Sequence, residues 1–308
     1  DLQVSDLVVE DRDLVIGTHG RGFYVLDDIA PLRQLRAEVT QAHVFLFTPA
    51  DAVRRVYSAD IDYALKAPAG KVAVEILDAT GKVVRALPAS RANKAGLNRV
   101  TWDLRYPGAT VFEGMILRSA NPGRGPLAPP GTYQTRLTVD GQVQTQAFAI
   151  TLDPNIKGVT QADLDAQFAL ALQIRDKTSA ANEAVILIRS LKKQVAGRVA
   201  KASDQKVTSA ADALARQLSA IEEELYQVRN SAPKDPLAHP VKLNNRIPAL
   251  GAIVESADAR PTDQCYEVFK ELSAELDGSL AKLEGVLKGD LAAFNKVLVA
   301  RKLTPVAR

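Results

Sequence analysis

With 308 residues, 46% of them hydrophobic and 24% charged, the chain has the make-up of an ordinary globular protein and is long enough for two or three domains. A net charge of +3 with both signs interspersed leaves no basic stripe to track a phosphate backbone, so no nucleic acid partner is expected. The single cysteine, Cys265, excludes an internal disulfide framework and a cysteine metal cluster. No apolar run reaches the roughly 18 residues of a membrane span, because Val185–Leu191 is broken by Arg189 and followed by Lys192 and Lys193.

The chain opens on Asp1-Leu2 instead of Met, with no charged and apolar leader after it, which predicts further sequence upstream. Residues 1–32 then read as three short strands, Val4 to Val9, Leu14 to Thr18 and Gly22 to Leu26. Turn residues separate them at Asp11-Arg12-Asp13 and His19-Gly20-Arg21-Gly22. Three strands with apolar residues on both faces cannot close a core alone, so this meander is expected to be part of something larger.

Residues 33–60 are a linker with edge strands, its best strand being His43 to Phe47. From 61 to 153 the β pattern is firm, over Ile61 to Leu65, Val72 to Asp78, Val83 to Leu87, Arg99 to Leu104, Tyr133 to Val139 and Val143 to Leu152. Ala79-Thr80-Gly81 and Asp140-Gly141 supply the positive φ of hairpin turns. Between Tyr106 and Pro130 the Pro and Gly content predicts a long loop with little regular structure.

After Asp153-Pro154 the period changes from two to 3.6, and residues 159–303 read as a helical bundle. Thr160 caps a first helix running to about Val195. A second, from about 206 to 229, carries the seam Val207, Ala211, Leu214, Leu218, Ile221, Leu225 and Val228. Further helices are expected from Pro240 to Ser256, bent or interrupted near Pro248, from Pro261 to Lys288, and from Asp290 to Lys302. Connections near Ala200 to Asp204, Ser231 to Pro240 and Ala257 to Arg260 are short enough for antiparallel neighbours. The seam should meet Phe168, Leu172 and Leu191 of the first helix, with Phe269, Leu276 and Leu283 as another wall.

Two stretches resemble known families. Asp13 to Asp28 resembles the last blade of the sortilin-type, BNR-repeat (glycosyl hydrolase-like) β-propellers, in which a β-sandwich and a helical tail follow. The Ser-x-Asp-x-Gly-x-Thr-Trp box of that family is absent from the chain. Residues 72–87, then Ala95 to Asp103, then Pro129-Pro130-Gly131-Thr132-Tyr133 resemble the immunoglobulin-like domain of flagellar hook-capping proteins. In such a domain Trp102 would anchor a two-sheet core, and Pro130-Gly131 would form a type II turn.

Catalytic chemistry finds no pattern. The glycines around His19 and Arg21 precede a strand, not a helix, which predicts a hairpin turn; a ligand or anion site on His19 and Arg21 is the alternative. His43 and His239 share no metal spacing with His19. Asp27-Asp28 and Asp60-x-Asp62 read as solvated strand ends ahead of glycosidase acids, and Glu222 to Glu224 as a solvent face. No catalytic residue, cofactor or metal is expected.

The sequence therefore predicts a multidomain β plus α chain: terminal β-propeller strands, an Ig-like β-sandwich and a C-terminal antiparallel helical bundle. Its expected role is that of a non-catalytic C-terminal region in binding or as a scaffold. The alternatives are an accessory region of a propeller glycoside hydrolase whose active site lies upstream, or an oligomerisation module. Expected partners are the upstream blades of the same protein, a polypeptide or glycan ligand, or a second copy. The propeller resemblance implies a secreted bacterial protein, periplasmic or extracellular.

Overall fold

The computed structural model describes residues 3–56, 58–88, 93–202 and 204–308. The Asp1-Leu2 opening and Ser203 of the first helix connection lie outside the described residues. The chain is a mixed β plus α protein with several sheets and a long C-terminal helical region, and it divides into two compact units. The first comprises residues 1–106 and 128–158, the second residues 107–127 and 159–308.

In the first unit, β1 (Val4–Glu10), β2 (Asp13–Thr18) and β3 (Phe23–Leu26) form an antiparallel meander in the order β1-β2-β3. Their alternation brings apolar residues to both faces, and every residue of β1 and β3 is exposed. Two short helices follow, α1 (Ala30–Arg33) and α2 (Ala37–Gln41). The region expected to be a linker then supplies strands β4 (Val44–Leu46) and β5 (Ala52–Val53), each an edge of a larger sheet.

Those sheets are two. One has the order β4-β6-β9, with β6 (Ala59–Leu65) and β9 (Gly96–Trp102) antiparallel; the other has the order β5-β13-β12-β7-β8. Its members are β7 (Val72–Leu77), β8 (Val83–Leu87), β12 (Gly131–Val139) and β13 (Gln142–Thr151), with tight hairpins at Gly81 and at Asp140-Gly141, whose φ values are positive as such reversals require. Period-two alternation makes each sheet half apolar, and the apolar faces meet. Trp102 from the first sheet is fully buried, 5.5 Å from the ring of Tyr133 and 6.3 Å from that of Phe148 in the second. Its indole N–H donates to the Arg105 carbonyl at 2.9 Å, so the large ring is buried without orphaning its polar atom. Trp102 thus holds the core position that the sequence predicts.

Strands β10 (Arg105–Pro107) and β11 (Arg124–Leu127) bracket the Pro- and Gly-rich stretch, which has no other strand or helix. Its placement differs from the sequence expectation. Residues 107–127 belong to the helical unit, because helix side chains take up the hydrogen-bonding groups of a backbone that has no ladder of its own.

The helical unit is built from α3 (Gln161–Ala202), α4 (Gln205–Leu225), α5 (Leu243–Val254), α6 (Asp263–Val286) and α7 (Ala292–Val299). Thr160 and Asp163 exchange bonds at the start of α3, as a capping box does, and Asp204 caps α4 by accepting from the amides of Lys206 and Val207. The α4 seam from Val207 to Leu225 is buried throughout, whereas α4 ends at Leu225 and leaves Val228 exposed. Leu191, Leu276 and Leu283 share that core, with Phe269 packed at its margin. Phe168 and Leu172 are only half-buried. The buried stripe of α3 runs one position away, through Gln167, Ala171 and Ile174, because Gln167 turns inward to donate to the carbonyls of Val254, Ala257 and Ala259.

Two helix boundaries also move. Pro248 sits inside α5 without ending it. The expected break at Gly289-Asp290 is instead a π-helical turn, Leu287–Leu291, which joins α6 to α7 while burying Leu287 and Leu291.

Candidate functional site

The β6–β9 register decides which charges meet. Asp60 lies opposite Thr101 and Asp62 opposite Arg99, all on the face of the sheet turned away from Trp102. Arg99 grips Asp62 with two bonds, Nε to Oδ1 at 2.8 Å and Nη2 to Oδ2 at 2.9 Å, and reaches Asp60 Oδ2 with Nη1 at 3.1 Å. The remaining Asp60 oxygen accepts from the Thr101 hydroxyl at 2.6 Å.

The exit from the meander closes over this pair. Arg99 Nη2 donates to the Asp28 carbonyl at 3.3 Å, and the Asp28 carboxylate pairs with Arg12 at 2.8 Å and accepts from the Ala30 amide at 3.0 Å. Asp13 accepts from the Asp28 amide at 3.0 Å. Asp28 adopts φ 54°, an uncommon conformation for a residue with a Cβ, which these bonds hold in place. A pocket of about 330 Å³ results, lined by Arg12, Asp13, Asp27, Asp28, Ser58 and Asp60.

The two acid pairs that are distant in sequence therefore meet; Asp27 is exposed and Asp60 half-buried, as strand ends in solvent would be, but their neighbours Asp28 and Asp62 are not. Asp28 is 7% exposed and Asp62 3%, because each has an arginine to neutralise it on burial. Burial pushes the Asp62 carboxyl up from its ordinary value, with Asp60 and Asp28 acting the same way, against the Arg99 bonds that hold it down. Arg99 is in turn stabilised as a cation, chiefly by its bonds to Asp62. The buried carboxylates are committed to guanidinium partners, an arrangement suited to clamping the meander exit onto the sandwich. The sequence signal for it was faint: charges alternate on both strands, but only the register shows that they face one another.

The turn holding His19 and Arg21 projects from the meander with both residues exposed, between Gly20 and Gly22 at positive φ. It lies apart in sequence from the pocket residues, and no pocket described here includes either side chain. His43 is exposed and His239 half-buried. Among the described residues no group of three or more His, Cys, Asp or Glu has the geometry to hold a metal ion, and no helix is long and apolar enough to cross a membrane.

In the helical unit, Glu222 departs from the expected solvent face. It is 4% exposed and bonded to Arg189 at 2.7 Å and Lys192 at 3.1 Å, while Glu224 pairs with Lys282 at 2.6 Å. Five amide side chains, Gln167, Asn182, Gln227, Asn244 and Asn245, are buried there as well, and an isolated polar residue of this kind gives no periodic signal in the sequence.

The FlgD Ig-like domain family matches residues 54–115. That stretch carries β6 to β10, so the sandwich has the immunoglobulin-like character that its hairpins and tryptophan suggested. No curated protein matches the chain. Among solved structures, CopC from Methylosinus trichosporium OB3b is 19% identical over 37% of this chain and 98% of its own, with a TM-score of 0.23, too low a likeness to carry an argument.

Proposed function

We propose that this chain is the non-catalytic C-terminal region of a larger β-propeller protein, acting in binding or as a scaffold. The carrying observation is the meander β1-β2-β3, whose strands expose Val4, Leu7, Val8 and Val9 on one edge and Phe23, Tyr24, Val25 and Leu26 on the other. A three-stranded sheet of this kind has the size of most of one propeller blade, and its bare faces fit stacking against neighbouring blades. The arginine clamp at its exit supports the same reading, since it fixes the meander to the sandwich without any neighbour being present. The FlgD-like sandwich is in keeping with a bacterial protein of the periplasm or the cell exterior. In this reading the exposed turn of His19 and Arg21 lies on a ring face, where it would meet a polypeptide or glycan ligand.

Hydrogen exchange on this chain and on a version extended upstream tests the proposal. The amides of β1 and β3 should exchange fast in the isolated chain and become protected in the longer one, while Trp102 and its neighbours exchange alike in both. Equal protection of β1 and β3 in the two would overturn the reading.

A further inference from the structure

The stretch between β10 and β11 is seated on the helices by its backbone. Thr110 donates its amide to Ser179 Oγ at 3.1 Å and its carbonyl accepts from Asn182 Nδ2 at 2.7 Å. The Ile116 amide donates to the Tyr226 hydroxyl at 3.1 Å, and the Ile116 carbonyl accepts from Asn230 at 3.2 Å. Asn245 reads both backbone groups of Arg118, accepting from the amide at 2.6 Å and donating to the carbonyl at 3.1 Å. Main-chain groups carry the hydrogen bonds and a few side chains fill pockets, as when a protein binds a peptide with little regard to its sequence, here around a turn in which the Met115 amide donates to the Phe112 carbonyl at 3.3 Å and Gly114 takes φ 73°. Here Phe112 stacks edge-on against Tyr226 at 5.2 Å with the Arg189 guanidinium 4.7 Å from its ring, and Met115 and Leu117 pack against the helical core.

Three further observations separate this segment from an ordinary core element. Its ends meet in a neck of their own: the Ala109 amide donates to the Pro122 carbonyl at 2.7 Å, and Gly108 and Gly123 approach so closely that a Cβ on Gly108 would lie 2.2 Å from the Gly123 oxygen. A loop closed at its neck can leave a surface without disturbing the strands that bracket it. The segment is also loosely filled, enclosing an open pocket of about 580 Å³ lined almost wholly by its own residues. Finally, the surface beneath is not fully satisfied. Asn244 is 1% exposed; its amide nitrogen donates to Asn182, while its oxygen is buried without a hydrogen-bond partner among the described residues, as is the oxygen of Asn230.

We propose that the helical unit carries a groove for a peptide segment of a partner protein that bends through one turn, and that residues 109–122 are its resident, releasable occupant. The groove takes an aromatic residue followed by aliphatic residues three and five positions later, the pattern of Phe112, Met115 and Leu117. A segment able to donate to the Asn244 and Asn230 oxygens outcompetes the resident loop. The inference stands on the helical unit alone and does not depend on the propeller reading.

Replacing residues 109–122 by a linker of about three glycine and serine residues, which the closed neck can accommodate, empties the groove in the full chain. The probe is a fluorescent synthetic peptide with the sequence of residues 109–122. The emptied variant should keep the helical circular dichroism and bind the peptide one to one, at least tenfold more tightly than the unaltered chain does. Asn245→Ala in the emptied variant should weaken binding at least tenfold, as should Phe112→Ala in the peptide. A helical variant that ignores the peptide overturns the proposal. Hydrogen exchange on the unaltered chain decides independently of how the variant folds: the amides of Ile116 and Arg118 should open well before those of α3 and α4, and equal protection overturns the proposal.

Discussion

Two apolar surfaces of this chain meet opposite fates. The α4 seam is buried from Val207 to Leu225, whereas the meander leaves Phe23 80% exposed and the other large apolar residues of β1 and β3 about half exposed. Composition does not separate them, since both are rich in large aliphatic residues. The difference is geometric. A helix offers its apolar residues as one stripe, which neighbouring helices of the same chain can cover, but a sheet with apolar residues on both faces needs two further layers. In the sandwich each sheet has one apolar face and the other sheet covers it, whereas among the described residues β1 and β3 of the meander have no such cover.

Substitutions in the seam, the sandwich core, the clamp and the meander sharpen that contrast. Leu218→Asp at the centre of the seam removes a fully buried leucine and introduces a charge with no partner, for an expected cost of about 4 kcal/mol or more. The helical signal should lose its cooperative melt at every protein concentration. A variant that stays folded as a monomer while the unaltered chain sediments as a dimer would instead show that the seam was covered by a second copy.

Trp102→Ala should cost the sandwich about 3–5 kcal/mol through the cavity left between its sheets. Calorimetry should show the loss in one transition, with the helical unit's melting unchanged. In the unaltered chain, acrylamide should scarcely quench the fluorescence of Trp102, and ready quenching would contradict its burial.

Arg99→Met tests the clamp. Asp62 then lacks its main cation, and the expected cost at neutral pH is about 2–3 kcal/mol. The pH dependence carries a definite sign. Burial already raises the folded-state pKa of Asp62, and loss of Arg99 raises it further. Stability tied to the protonated carboxyl is fully present below the unfolded value of about 3.9 and is lost as pH rises through the folded value. The variant should thus match the unaltered chain most nearly in acid and fall behind as pH rises. The helical unit behaves oppositely: Arg301 and the first amides of α4 hold Asp204 low, Lys282 holds Glu224 low, and Arg308 holds Glu284 low. Their contributions are present above about pH 4 and fade as pH falls through the depressed values. In the sandwich Asp78 is likewise held low, chiefly by its bond to Thr80, but Asp62 is shifted the other way, so thermal melts at pH 3 and pH 6 should show acid weakening the helical transition of the unaltered chain more than that of the sandwich.

The smallest effect is expected in the meander. Phe23→Ser should change the chain's stability by no more than about 0.5 kcal/mol, because the ring, 80% exposed, has little buried contact area to lose. Its consequence should be greater solubility at high concentration, read by light scattering. A large drop in melting temperature would mean that Phe23 is covered in solution and that the two apolar surfaces are alike after all.

The sequence by itself determined the longer elements and their order, though not the short α1, α2, β5, β10 and β11: the period-two runs, the Gly81 and Asp140-Gly141 reversals, the cap at Thr160 and the seam of α4 are local signals, each legible within a few residues. It also singled out Trp102, because a lone large aromatic on a strand of a sandwich has few other places to go. Tertiary structure alone decided the rest. Asp62 is buried only because strand register brings Arg99 to it, Asp28 only because Arg12 reaches it from the β1–β2 turn, and Glu222 only because Arg189 and Lys192 reach it from a neighbouring helix. The 109–122 loop joins the helical unit through Asn182, Asn230, Asn245 and Tyr226, residues that no periodicity marks. Apolar burial follows a repeating pattern along the chain, whereas a buried polar group depends on one particular partner, and that partner lies tens of residues away.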